Sequence, residues 1–237
     1  DIICFKFIYK VIFSHQIYMH YTVKNLIDVE NNIKNCLNKF DLNDYPKIIA
    51  VSKTFKIDKI LPLIEHGHVN FGENKVQEAV EKWTEIKKEN SEIKLHMIGK
   101  LQTNKVKFAV QIFDYIHSVD SEKLAKKISE EQLRINKKLK IFLQINIGNE
   151  NQKSGINKNN IHKLVSYCRQ LNLDLVGLMC IPPVNTDSEN YFREMYLLNT
   201  NLGFKELSMG MSSDYIKAAK NLATFLRIGS KIFGERS

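Results

Sequence analysis

From Lys24 onward, short apolar runs rich in β-branched residues alternate with longer stretches in which apolar residues return every three or four positions. The first pattern predicts strands at 47–52, 68–71, 94–98, 115–118, 140–147, 175–181, 206–209 and 225–228. The second predicts helices at 57–66, 74–89, 103–111, 121–135, 158–171, 188–201 and 213–223, with one more at 24–39 ahead of the first strand. Strands and helices in strict alternation predict an α/β fold, a single (β/α)8 TIM-type barrel with an extra N-terminal helix, in preference to an open doubly wound sheet. No Gly/Ser-rich or Pro-rich linker divides the chain, and Pro46, Pro62, Pro182 and Pro183 fall at element boundaries or first turns.

The segment before this pattern, residues 1–19, is apolar and aromatic but interrupted by Lys6, Lys10 and His15. It is too short for a span of ~20 apolar residues, and no clear small-residue cleavage site follows it. It is read as an N-terminal extension, either a targeting segment or an upstream stretch, with residues 20–237 as the barrel domain.

Composition changes the picture little. A hydrophobic share of 43% and a charged share of 26% fit a soluble globular domain. The 35 Lys+Arg against 26 Asp+Glu give a net charge of +9, spread over Lys-Lys pairs that sit among Glu residues on helix faces. A solvated surface accounts for them, so neither a specific nucleic-acid partner nor a membrane is expected. Cys4, Cys36, Cys168 and Cys180 lie far apart with no metal-ligand spacing, which fits reduced thiols in a cytoplasmic setting, with organellar targeting by residues 1–19 as the alternative.

In a barrel of this kind, functional groups gather where strands end and helices begin. Lys53, in Ala50-Val51-Ser52-Lys53-Thr54, lies at the end of the first strand. It is an ordinary solvated lysine, an anion-binding group, or a desolvated amine able to form a Schiff base with an aldehyde. At the seventh and eighth strand ends, Ser208-Met209-Gly210-Met211-Ser212 and Arg227-Ile228-Gly229-Ser230 offer glycine backbone and hydroxyl donors to a phosphate. The plainer reading is that both glycines permit turns and Ser212 caps a helix. Asn74 and Gln102, after the second and third strands, are candidates for bonding a ring substituent, and Asn74 is equally well a helix cap. His66 and His68 lack a third ligand, so no metal site is expected.

These residues resemble the pyridoxal phosphate homeostasis proteins. AVSKT at 50–54, FGEN-x-VQEA at 71–79, H-x-IG-x-LQ-x-NK at 96–105, HSVDS at 117–121, QIN at 144–146 with EN-x-KSG at 150–155, GLM-x-IP at 177–182, LSMGMS-x-D at 207–214 and RIG-x-x-IFG at 227–234 follow in the family's order. The resemblance implies a barrel like the N-terminal domain of alanine racemase, with pyridoxal 5′-phosphate (PLP) as cofactor and Lys53 carrying it as an internal aldimine. It further implies that Ser208, Met209, Gly210 and Ser212, with Gly229 and Ser230, hold the phosphate, that Arg227 faces the pyridine nitrogen, and that Asn74 belongs to the binding set. An arginine there disfavours ring protonation and weakens the cofactor as an electron sink. A carrier in vitamin B6 homeostasis, without catalytic turnover and with PLP-dependent apo-enzymes as recipients, is therefore expected. The alternatives are an amino-acid racemase and, less favoured by the motifs, a basic RNA-binding module. A monomer or weak dimer is expected. Lys75, Leu95, Lys100 and Ser230 depart from the family's usual residues, and Lys75 would add a cation near the mouth.

Overall fold

A computed structural model describes residues 19–42, 44–150 and 154–235. The expectation for the N-terminal extension lies almost wholly outside the described residues. Eight parallel strands close into a barrel in sequence order, with β8 returning to β1. The strands are β1 Lys47–Val51, β2 Asn70–Glu73, β3 Lys94–Met97, β4 Tyr115–Val119, β5 Lys140–Ile145, β6 Asp174–Cys180, β7 Glu206–Met211 and β8 Phe225–Ile228. Around them run α1 Tyr21–Leu37, α2 Leu61–Glu65, α3 Val76–Glu89, α4 Val106–Ile112, α5 Glu122–Arg134, α6 Ile161–Gln170, α7 Ser188–Asn201, α8 Tyr215–Lys220 and α9 Ser230–Phe233. The expected (β/α)8 architecture and its leading helix are both present.

Several elements differ from the sequence pattern in their bounds, and two of them show the local reason. The second strand starts at Asn70 because the His68 amide still bonds to the Leu63 carbonyl at 2.9 Å and Gly67 turns at φ 91°, so His68 belongs to the end of the α2 turn. The four-residue α9 is too short for any period to announce it.

Alternation along each strand sorts the side chains into two cores. Ile48, Ala50, Leu95, Ile116, Leu207, Leu226 and Ile228 face the surrounding helices and pack with residues such as Leu26, Ala109 and Trp83. Ile49, Tyr115, Phe142, Met179 and Phe225 fill the barrel interior. The inward-facing rows continue upward into polar residues at the C-terminal rim: Ile49 is followed by Val51 and Lys53, Phe142 by Gln144 and Asn146, and Phe225 by Arg227. The first helix is tied to the last, since Tyr21 Oη and Asn25 Nδ2 donate to the Phe233 and Ile232 carbonyls at 3.3 and 2.9 Å.

Candidate functional site

A cavity of about 990 Å³ opens at the C-terminal rim. Lys53, Asn74, Ser212, Arg227, Gly229 and Ser230, six residues expected at the site, line it together. Ser208, Met209 and Gly210 are not among the residues that line it. β7 runs to Met211 rather than stopping at Met209, so alternation turns Ser208 into the barrel below the cavity and Met209 into the outer core. Gly210, at φ 87°, lies so close to α8 that an added Cβ would meet Ala218 Cβ at 2.4 Å. Its role is to let the strand pass the helix. The lining from this strand comes one step later, from Met211, Ser212 and Ser213. Gln102 and Lys75 are exposed and off the lining, whereas Lys100 is on it.

The wall that carries Lys53 is fixed from outside. Ser52, one residue earlier, points outward, and its hydroxyl donates to Glu73 Oε1 at 2.8 Å. Glu73 is fully buried at the end of β2 and also accepts from Trp83 Nε1 at 2.9 Å and Lys82 Nζ at 3.0 Å. Lys82 Nζ donates in turn to the Ser52 carbonyl at 3.0 Å and to Glu78 at 3.0 Å, and Glu78 accepts the Thr54 amide at 2.6 Å. Thr54 has φ 68°, an uncommon conformation for a β-branched residue, and the Glu78 bond holds it there. The residues on both sides of Lys53 are thus pinned. Burial pushes the Glu73 carboxyl above its ordinary pKa, with Lys82 and the hydrogen bonds opposing that shift.

The adjoining wall, from β7 and β8, presents backbone. Asp214 Oδ1 accepts the Met211 amide at 2.7 Å and closes the 211–214 turn. Ser212 Oγ then accepts the amides of Gly229 and Lys231 at 3.2 and 3.4 Å. An oxygen held by two backbone N–H groups marks a donor set suited to an anionic oxygen. Beside it stands Arg227, 4% exposed, which donates from Nη1 to Ser208 Oγ at 2.7 Å and from Nη2 to the Cys180 carbonyl at 2.8 Å. Burial lowers its pKa from the ordinary value, with Cys180 and Asp214 opposing.

Between the walls, Asn74 Oδ1 is buried without a hydrogen-bond partner among the described residues. Gly99 lets the loop after β3 lie against it, because a Cβ there would sit 2.4 Å from the Asn74 carbonyl oxygen. Gln144, Asn146, Ser154, Ile181 and Lys231 also line the cavity and were not expected at the site. The inward period of β5, in which Gln144 follows Phe142, is the signal that could have found Gln144.

The profile of the alanine racemase N-terminal domain matches residues 25–237. The barrel, with its rim lysine and anion cradle, is therefore of the alanine racemase N-terminal class. Within that class the chain is 35% identical over 225 residues to the pyridoxal phosphate homeostasis protein of Pasteurella multocida, covering 90% of this chain and 97% of the relative. It is 36% identical over 200 residues to that of Aquifex aeolicus, covering 80% and 87%. The chain belongs to the pyridoxal phosphate homeostasis protein family. Among solved structures, PipY of Synechococcus elongatus with PLP bound superposes with a TM-score of 0.75 at 32% identity, covering 85% of this chain and 100% of PipY. Alanine racemase of Clostridium difficile shares the fold, with a TM-score of 0.70 at 16% identity over 91% of this chain and 57% of the racemase.

Proposed function

We propose that the protein binds PLP in the rim cavity, holds its aldehyde as a Schiff base on Lys53, and keeps or hands on the cofactor in vitamin B6 homeostasis. The observation that carries this reading is one cavity lined by a backbone-anchored lysine, a two-amide anion cradle and a buried arginine. The residues fit the group. Ser212 with the Gly229, Ser230 and Lys231 backbone suits the phosphate, Arg227 the ring nitrogen, and Asn74 Oδ1 a donor on the ligand. PLP supplies a reactive aldehyde, and the protein supplies an amine in a partly desolvated setting and shields the adduct. The PLP bound in the Synechococcus relative supports the choice of ligand. Arg227 opposes ring protonation, which favours retention over turnover of an amino acid. Three thiols among the described residues, Cys36, Cys168 and Cys180, are free, in keeping with a reducing, cytoplasmic setting. No described helix is long and apolar enough to cross a membrane.

The test is an absorption spectrum of the purified protein with PLP before and after borohydride, with peptide mapping of the reduced adduct. A visible band fixed by reduction on Lys53 is expected, and Lys53→Ala should abolish it. Label spread over surface lysines would overturn the reading. Incubation with alanine in deuterated buffer separates carrier from racemase, and no exchange of the α-proton is expected at substrate-level protein concentration.

A further inference from the structure

Below the cavity four polar side chains form a single line through the otherwise apolar barrel interior. Ser208 Oγ lies 2.7 Å from Arg227 Nη1 and 2.9 Å from His117 Nδ1. His117 Nε2 lies 3.0 Å from His96 Nδ1, and His96 Nε2 lies 3.1 Å from Asn70 Oδ1. His96, His117 and Ser208 are fully buried. The rings are stacked among aromatics, His96 on Tyr115 at 4.3 Å and His117 on Phe142 at 4.3 Å, so neither can turn without displacing the inner core.

Elementary hydrogen-bond chemistry gives this line a direction. A guanidinium has donors and no acceptor, so Ser208 Oγ accepts from Arg227. The serine proton must then find an acceptor, and among the described residues His117 Nδ1 is the partner that can take it. A neutral imidazole that accepts at Nδ1 carries its hydrogen on Nε2 and donates from there. His117 therefore donates to His96 Nδ1, and by the same step His96 donates from Nε2 to Asn70 Oδ1. The buried rings are held neutral, because desolvation above all, with the charges of His68, Lys87 and Lys47 on His96 and of His96 and Arg227 on His117, works against protonation.

We propose that His96 and His117 are positioning residues of the cofactor site: a one-way chain of donors, from Arg227 through Ser208, His117 and His96 to Asn70, fixes Ser208 as an acceptor and so locks the guanidinium edge presented to the cavity. The chain also runs away from the cavity, so a ligand atom facing Arg227 is offered a hydrogen bond and no transferable proton from the barrel interior. The effect on PLP rests on the function proposed above, whereas the polarity of the chain does not.

Long-range proton–nitrogen correlation of histidine-labelled protein at pH 7, without added PLP, reads the tautomers. Both rings are expected neutral with hydrogen on Nε2, and either ring found with hydrogen on Nδ1 or as an imidazolium overturns the proposal. In arginine-labelled protein the Arg227 Nη protons should be resolved, and His117→Phe, which keeps the ring stack but removes the acceptor, should average them. His117→Asn, whose amide oxygen can stand near the Nδ1 position, should restore them in part. For PLP, His117→Phe is expected to weaken binding about tenfold and shift the bound-cofactor band, with His117→Asn closer to wild type. A folded His117→Phe with wild-type Arg227 signals, or with wild-type affinity and band, overturns the positioning role. If His117→Phe does not fold, the tautomers and His117→Asn decide. Failure of the unaltered protein to bind PLP would sink the proposed function while leaving the tautomer and Arg227 readouts standing.

Discussion

The two walls of the cavity solve the same problem, holding a polar group still at a solvent-facing rim, by opposite means. The β1–β2 wall presents one side chain, Lys53, and fixes the backbone on either side of it with charged groups, Glu73 from the end of β2 and Lys82 and Glu78 from α3. The β7–β8 wall presents backbone amides and fixes them with small residues and close approach, through Ser212, Asp214 and Gly210. On the function proposed above Lys53 reacts at its tip and needs freedom there, so its support lies in the chain beneath it. An anion cradle needs its N–H groups aimed, so its support is the geometry of the turn itself.

The contrast can be broken most sharply on the charged side. Lys82→Met leaves the fully buried Glu73 with only Ser52 and Trp83, and removing one partner of a buried ion pair costs about 3–5 kcal/mol. Chemical denaturation should show this loss, together with weaker adduct formation on Lys53, while phosphate affinity at the other wall changes little. Acid should come next, acting chiefly beneath Arg227. The His96 and His117 pKa values lie well below 6.5, so under pH 6.5 the unfolded chain takes up protons that the folded chain refuses, and stability falls as pH falls. Both rings act in the same direction, so their losses add as pH falls below 6.5. His68, with its pKa lowered to about 4, adds a share of the same sign. Glu73 works in the opposite sense, because its raised pKa lets the folded state take a proton first. Denaturation midpoints at pH 7, 6 and 5 measure the sum, and a flat profile would contradict neutral buried rings.

On the backbone side, Gly210→Ala combines the 2.4 Å approach to Ala218 with a positive φ, for an expected loss of about 2–3 kcal/mol seen as a lower Tm. The smallest effect belongs to Ser212→Ala. It removes one acceptor from two amides, about 1 kcal/mol, and should weaken binding of PLP and of inorganic phosphate alike by several-fold. Equal loss of the Lys53 adduct from Ser212→Ala and Lys82→Met would erase the distinction between the walls.

Much of this was legible in the chain. Apolar runs of strand length, separated by amphipathic segments, mark all eight strands; rim position picks out Lys53 and the Gly229–Ser230 step, and the family resemblance adds Arg227. The errors have local causes. At β7 the predicted strand stops at Met209 yet runs on to Met211, because Gly210 lets it pass close to α8. Ser154 reaches the cavity from a connection beyond β5, and no period locates such a residue. The histidine line was out of reach for a different reason. His96 and His117 sit 21 residues apart and Ser208 another 91 away, so only barrel closure makes them neighbours.

Closure has one more consequence. β1, which leads to Lys53, pairs with β8, which carries Arg227 and leads to the Gly229 amide, so the cavity straddles the seam where the first and last strands meet. During synthesis the lysine emerges early and its counterpart late, and the two face each other only after the ring has shut. A ligand that grips both sides therefore acts as a clasp on the seam. It adds RT ln(1 + [L]/Kd) to the stability of the closed ring and nothing to an open one. Loading with cofactor thus doubles as a certificate that the barrel has been completed.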